Sequence, residues 1–196
     1  MNSTPATRLQ RSPRWRQTLH ADGSVTAEPT GAMPSAIEAP PADASPANTP
    51  VSAVMTCQVL CVTPDVTLDA LLTLMIERGI SGVPVVSERG LPIGMVTKTD
   101  VVRHRYENGN TDSSDETRVS DLMIPIAHTL LESASLAHAA ALIAWEGVHR
   151  LPICSDRGDV VGILSTLDVV RWMSRREGYS ARRAGALSAP LVDWPR

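Results

Sequence analysis

Cysteine is scarce in this sequence: 196 residues carry three, Cys57, Cys61 and Cys154. An odd number without zinc-type spacing favours buried, reduced thiols over disulfide or metal chemistry. Such usage fits a reducing, cytoplasmic setting. No run reaches 18 apolar residues, which excludes a membrane-spanning helix. The N-terminal stretch also lacks the hydrophobic run of a secretory signal. An excess of basic residues is missing as well: the formal net charge is −3, and residues 51–173 alone carry −6. An acidic centre disfavours non-specific binding to nucleic acid. His104, His128 and His138 stand without metal-ligand spacing. No nucleophile, base and orienting group can be named together, so an enzyme is not expected.

The chain divides by composition. Residues 1–50 hold eight of the fifteen prolines. They are rich in Pro, Ala, Ser and Thr, have no sustained apolar period, and are expected to be disordered. Arg8, Arg11, Arg14 and Arg16 precede the first acid, Asp22. That is a faint transit-peptide pattern, for which arginines scattered through a polar tail are the simpler account. Apolar residues concentrate between 51 and 173, and a basic tail with Arg175, Arg176, Arg182 and Arg183 follows from 174.

What the middle segment does contain is a repetition. "GMVTKTDVVR" (94–103) returns as "GILSTLDVVR" (162–171) at a spacing of 68, and residues 51–103 set against 119–171 without a gap share 15 of 53 positions. This is an internal duplication. It gives one repeat over 51–107, a polar linker over 108–118, and a second repeat over 119–173.

Each repeat reads as strand, helix, strand, strand, helix. An apolar run, "VLCVT" (59–63), is followed by Thr67 as helix cap and by Leu68, Leu71, Leu72, Met75 and Ile76 on one helical face, with Gly79 as the stop. The copy has Ser135 as cap, then Leu136, Ala139, Ala140, Ile143 and Ala144, and Gly147 as the stop. Paired strands around "ERGL" and "DRGD" read as hairpins. One such unit leaves a sheet face uncovered, so two are expected to shelter each other. The fold class is therefore α+β: a pseudo-twofold pair of three-stranded sheets flanked by helices, with equivalent crevices related by the pseudo-axis.

The repeated phrase admits two chemistries. Thr97-x-x-Asp100 and Ser165-x-x-Asp168 match a helix capping box. Glycine three residues before each hydroxyl also permits close approach by a ligand or another backbone, and the helix start beyond it favours an anion. Hydroxyl, amides and carboxylate together suit a nucleotide, with the acid accepting from ribose hydroxyls. His149 and Arg150, before a strand of the second repeat, can both donate to phosphate. The first repeat has Ser81 and Gly82 at those places. A surface arginine and a satisfied histidine remain the plainer alternative.

Taken together, "VSAVMT", "TPDVTLDALLTLM", "GISGVPVV" and "IGMVTKTDVV", then "VSDLM", "ASLAHAAALI", "GVHRLPI" and "VGILSTLDVVR", resemble the cystathionine beta-synthase (CBS) domain family, twice over. The resemblance implies a tandem pair with two adenosyl-ligand sites in a cleft, often as a homodimer. Carried over by position, it implies Asp100, Asp168, Thr97 and Ser165 at ribose, and His149, Arg150, Lys98 and Thr166 at phosphate. It implies an adenine pocket from Cys61, Val62, Ile80 and Val83, and from Thr129, Leu130, Val148 and Leu151. Two places depart from the family pattern: Cys61 stands where threonine is frequent, and Glu132-Ser133 replaces the Pro64-Asp65 of the first repeat.

The expectation is a stand-alone regulatory module that binds AMP, ADP, ATP or S-adenosylmethionine and modulates a partner protein. No further cofactor, no metal, no nucleic acid and no membrane are implied. The alternative is a structural or dimerisation module with no physiological ligand.

Overall fold

The structure is a computed structural model that describes residues 13–32, 44–108, 117–125 and 128–179. Arg8, Arg11, Arg182, Arg183 and most of the 108–118 linker lie outside the described residues.

The first ordered element contradicts the expectation of disorder over residues 1–50. Strands β1 (Pro13–Leu19) and β2 (Val25–Ala32) form an antiparallel hairpin. Its turn is closed by His20 N–H to Ser24 O and Gly23 N–H to His20 O, both 3.0 Å, with Gly23 at φ 79°. The segment escapes a hydrophobicity argument because the residues it buries are polar. Arg14, Arg16 and Thr18 alternate along one face, each no more than 8% exposed. Ion pairs take the place of apolar contact: Arg14 with Glu132, and Arg16 with Glu28 and Asp159.

The first repeat then runs through β3 (Gln58–Val62), α1 (Leu68–Glu77), β4 (Gly82–Val86), β5 (Pro92–Thr97) and α2 (Lys98–Asn108). A short helix α3 (Val119–Leu122) and strand β6 (Ile124–Pro125) lead into the second repeat. That repeat comprises β7 (Leu130–Leu131), α4 (Leu136–Glu146), β8 (Arg150–Cys154), β9 (Val160–Ser165) and α5 (Thr166–Arg176). Thr67 and Ser135 cap α1 and α4 as expected, accepting from Ala70 N–H at 3.3 Å and His138 N–H at 3.1 Å. Leu68, Leu71 and Met75 of α1 are fully buried, each contributing about 1.5–3 kcal/mol. Ile76, expected on the same face, is instead 71% exposed. Ala144 is likewise exposed on α4, because each helix packs a narrower stripe than its apolar pattern offers.

The second repeat has the expected three-stranded sheet, β7-β8-β9. The first repeat's three strands are the centre of a six-stranded sheet, β2-β1-β3-β4-β5-β6. The hairpin extends it at one edge, with β1 parallel to β3, and β6 extends it at the other.

Backbone bonds between the repeats come in pairs 68 residues apart. Val51 N–H bonds Ala134 O as Val119 N–H bonds Val66 O, and Leu136 N–H bonds Thr49 O as Leu68 N–H bonds Thr117 O. Thr56 bridges Ile163 as Ile124 pairs Met95. The segment leading each repeat therefore lies across the other repeat. This accounts for the duplicated glycines at 94 and 162. A Cβ on Gly162 would stand 2.5 Å from Met55 Sδ, and one on Gly94 would stand 2.8 Å from Ile124 O. Of the two partners the sequence allows, another stretch of chain is the one that approaches. A small apolar cluster of Val59, Cys61, Val86 and Val160 joins the two sheets.

Candidate functional site

The repeated hydroxyl-x-x-acid motifs sit where β5 runs into α2 and β9 into α5. In both, one carboxylate oxygen performs the capping. Asp168 Oδ2 accepts from Ser165 N–H (2.9 Å) and Ser165 Oγ (2.6 Å), while Asp168 N–H donates to Ser165 Oγ (3.3 Å). Asp100 Oδ2 repeats this with Thr97 N–H (2.8 Å) and Oγ1 (2.6 Å). The capping box is real and satisfies N-terminal amides that the helix leaves unpaired. It uses one oxygen, so it does not exhaust either carboxylate. Asp168 Oδ1 lies 3.7 Å from Arg171, and Asp100 Oδ1 lies 3.6 Å from Arg103. Asp100 Oδ1 is buried without a hydrogen bond, whereas the Asp168 side chain is 15% exposed.

A cleft of about 420 Å³ opens between the repeats on the Asp168 side. Of the residues singled out in the sequence, it gathers Ser165, Thr166, Asp168, His149, Arg150, Ile80 and Val83. Arg150 spans the gap between repeats, its guanidinium donating to Ser81 Oγ. Ser81 is the positional equivalent of His149, and the two carbonyls play matched roles: Ser81 O accepts from Lys98 N–H (3.1 Å) and His149 O from Thr166 N–H (3.0 Å). Those bonds tie the start of each repeat's second strand to the start of its closing helix. They fix the hydroxyl, the acid and the basic pair in one corner.

Cys61 and Val62 do not line this cleft. Both are fully buried, Cys61 in the cluster between the sheets and Val62 under α1. The wall is formed nearer the start of the strand, by Gln58, Val59 and Leu60. Thr56, Ile163, Leu167 and Arg171 also line it, and none of them was expected. Arg171 was readable in principle, since it lies one helical turn after Asp168 on the same face. Burial also makes the cysteines inert: desolvation pushes the Cys61 thiol up to about 12, and Cys57 and Cys154 are raised by the same cause.

The matched positions of the first-repeat corner are placed differently. Leu151 and Leu130 are buried in the second repeat's core, Thr129 and Val148 are half-buried, and Lys98 is exposed on the first turn of α2. Thr97, Lys98, Asp100, Thr129, Leu130, Val148 and Leu151 do not join the Asp168 cleft. Among the described residues no group of three or more His, Cys, Asp or Glu side chains is arranged to hold a metal ion. No described helix is long and apolar enough to cross a membrane.

Two sheets sheltering each other about a pseudo-twofold, with a motif-lined cleft at the seam, define a tandem-repeat module. The CBS domain model matches residues 51–107 and 119–175, and the chain belongs to the CBS domain family as a tandem pair. It is 33% identical over 132 residues to CBS domain-containing protein YhcV of Bacillus subtilis, covering 67% of this chain and 91% of that one. It is 33% identical over 97 residues to the uncharacterised protein MK0525 of Methanopyrus kandleri, of which it spans 48%. A match at 30% identity to inosine-5'-monophosphate dehydrogenase of Korarchaeum cryptofilum spans 27% of that enzyme. Among solved structures, CBSX2 in complex with AMP superposes with a TM-score of 0.59 at 26% identity, over 66% of this chain and 99% of that one. The CBS pair of protein MJ0100, in complex with 5'-methylthioadenosine and S-adenosyl-L-methionine, shares the fold with a TM-score of 0.58 at 20% identity, over 64% and 96%.

Proposed function

We propose that the chain is a regulatory module, not an enzyme, that binds an adenosyl ligand in the Asp168 cleft and transmits occupancy to a partner protein. In this reading Asp168 Oδ1 accepts from the ribose hydroxyls, with Ser165 beside it, and Thr166 lies toward the phosphates. Arg150 and His149 donate to phosphate oxygens. The base lies between the Gln58–Leu60 wall and the Ile80–Val83 strand start. The observation that carries it is the meeting of Asp168, Arg150, His149 and Ile80 in one cleft large enough for a nucleotide. The relatives that bind AMP or S-adenosylmethionine support the ligand class. Arg150 reaches Ser81 across the seam, so a phosphate that captures the guanidinium acts on a contact between repeats. That gives the ligand different affinities for two arrangements of the halves, as a regulatory shift requires. Asp100 and Thr97 repeat the capping geometry of Asp168 and Ser165, which supports a second, matched site at Asp100 with Thr97 and Lys98.

Isothermal titration calorimetry with AMP, ADP, ATP and S-adenosylmethionine tests the reading. Saturable binding that Asp168→Asn weakens tenfold or more is the expected result, and no heat from any of the four overturns it.

The second reading, a dimerisation module without a ligand, draws on exposed apolar side chains along the helices. Tyr106 (89%), Trp145 (87%), Ile76 (71%), Val102 (67%) and Met173 (55%) are the main ones. Such a surface fits a homodimer, which we propose in either case. A cytoplasmic location accords with the reduced thiols.

A further inference from the structure

The hairpin lies outside the residues matched by the family model, yet it lines a hollow that shares a wall with the Asp168 cleft. Arg14 and Arg16 reach Glu132 and Asp159 of the second repeat, so Trp15 and Gln17 project from the opposite face of β1. The parallel register sets Trp15 beside Gln58 and Gln17 beside Leu60. These four side chains, with Arg78 after α1 and Ile80, wall a hollow of about 330 Å³. Gln58, Val59, Leu60 and Ile80 also line the Asp168 cleft, so the two spaces meet at the wall assigned above to the base. Among the described residues, the Trp15, Gln17, Gln58 and Arg78 side chains make no hydrogen bond or ion pair with the protein. An indole, two carboxamides and a guanidinium thus surround one hollow with their bonding capacity unspent on the fold.

We propose that the hairpin is a specificity element of the ligand site: Trp15 packs against the base end of the adenosyl ligand, and the amide of Gln17 bonds its edge. This rests on the reading of the Asp168 cleft as the ligand site. The chemistry suits a purine, which offers a flat π-face to an indole and a donor–acceptor edge to a carboxamide. A wall supplied by a separate strand also gives the ligand a direct grip on a segment that is ion-paired to the second repeat.

The test uses the full chain. AMP and inosine monophosphate are titrated calorimetrically into wild type, Trp15→Ala, Trp15→Phe, Gln17→Ala and Asp168→Asn, with a melting curve for each. Trp15→Ala is expected to raise the AMP Kd tenfold or more and Trp15→Phe by threefold or less. Gln17→Ala is expected to narrow the preference for AMP over inosine monophosphate at least threefold. Should Trp15→Ala melt early, Gln17→Ala and the quenching of indole emission by AMP decide: quenching present in wild type and lost in Trp15→Phe supports the contact. AMP affinities within twofold of wild type in Trp15→Ala and Gln17→Ala, while Asp168→Asn weakens binding, overturn the hairpin's role and leave the cleft intact. No binding by wild type, or unchanged binding in Asp168→Asn, overturns the reading of the cleft and this inference with it.

Discussion

Arg14 Nη1, on the first strand of the hairpin, lies 2.6 Å from Glu132 Oε2, at the entry to the second repeat's first helix. Glu132 stands where the first repeat has Pro64, and this contact gives the departure a physical cause: the acid is there for an arginine that precedes both repeats. The pair is unequal, with Arg14 9% and Glu132 34% exposed at the side chain. Removing the acid strands the more deeply buried charge. Glu132→Ala is therefore expected to cost more stability than Arg14→Ala, by up to about 3 kcal/mol. Replacing both, as Arg14→Met with Glu132→Ala, is expected to recover part of the loss. Urea unfolding of the four proteins checks the order, and an Arg14→Ala cost equal to or above that of Glu132→Ala would contradict it.

The glycine pair separates two kinds of crowding. An added methyl at Gly94 meets a backbone oxygen, Ile124 O, at 2.8 Å, whereas at Gly162 it meets the thioether of Met55 at 2.5 Å. Backbone in a paired strand cannot step aside, but a methionine can change rotamer. Gly94→Ala is expected to destabilise by about 1–3 kcal/mol and Gly162→Ala by less, despite the shorter distance. Thermal unfolding of both variants checks the ranking.

Alkaline pH should loosen the fold through its thiols. Cys61 has its pKa raised from the ordinary 9.0 to about 12 by burial, so between those values the unfolded chain releases a proton that the folded chain keeps. Stability is fully present below pH 9 and falls as pH rises toward 12, with a slope on the order of 1 kcal/mol per pH unit for this group. Cys57 and Cys154 are shifted in the same direction. Cys61→Ala, measured by urea unfolding at pH 8 and pH 10.5, is expected to show a shallower loss across that interval than wild type.

The architecture of each repeat was legible because its strands bury apolar residues and its helices carry caps, stops and a 3.6-residue stripe. Thr67, Ser135, Gly79 and Gly147 all stand at the ends they mark. The hairpin was not legible, since the alternation that makes it a strand pair is written in Arg14, Arg16 and Thr18, and the two arginines are buried against Glu132 and Asp159, acids more than 100 residues away. The Asp-Gly at 22–23 was its one local signal, a turn pair that ordinarily gains weight from flanking apolar residues. At the cleft, Asp168, Ser165, Arg150 and His149 could be picked from motif chemistry. The strand wall could not be placed to the residue: Cys61 and Val62 lie beyond the open part of their strand, and Gln58 and Leu60 line it instead.

The asymmetry between repeats sets a last expectation. Arg150 and His149 occupy the places where the first repeat has Gly82 and Ser81, and the guanidinium bonds Ser81 from across the seam. A charge-assisted contact to phosphate is worth about 1.5–3 kcal/mol, or roughly 10- to 100-fold in affinity. Adenosine offers no phosphate and cannot lose that contact. Arg150→Ala is therefore expected to raise the Kd of AMP at least tenfold while changing that of adenosine less than threefold. Lost packing against Gly82 would weaken both ligands together. Parallel calorimetric titrations of adenosine and AMP separate the two causes, and equal losses would move Arg150 from phosphate recognition to the support of the seam.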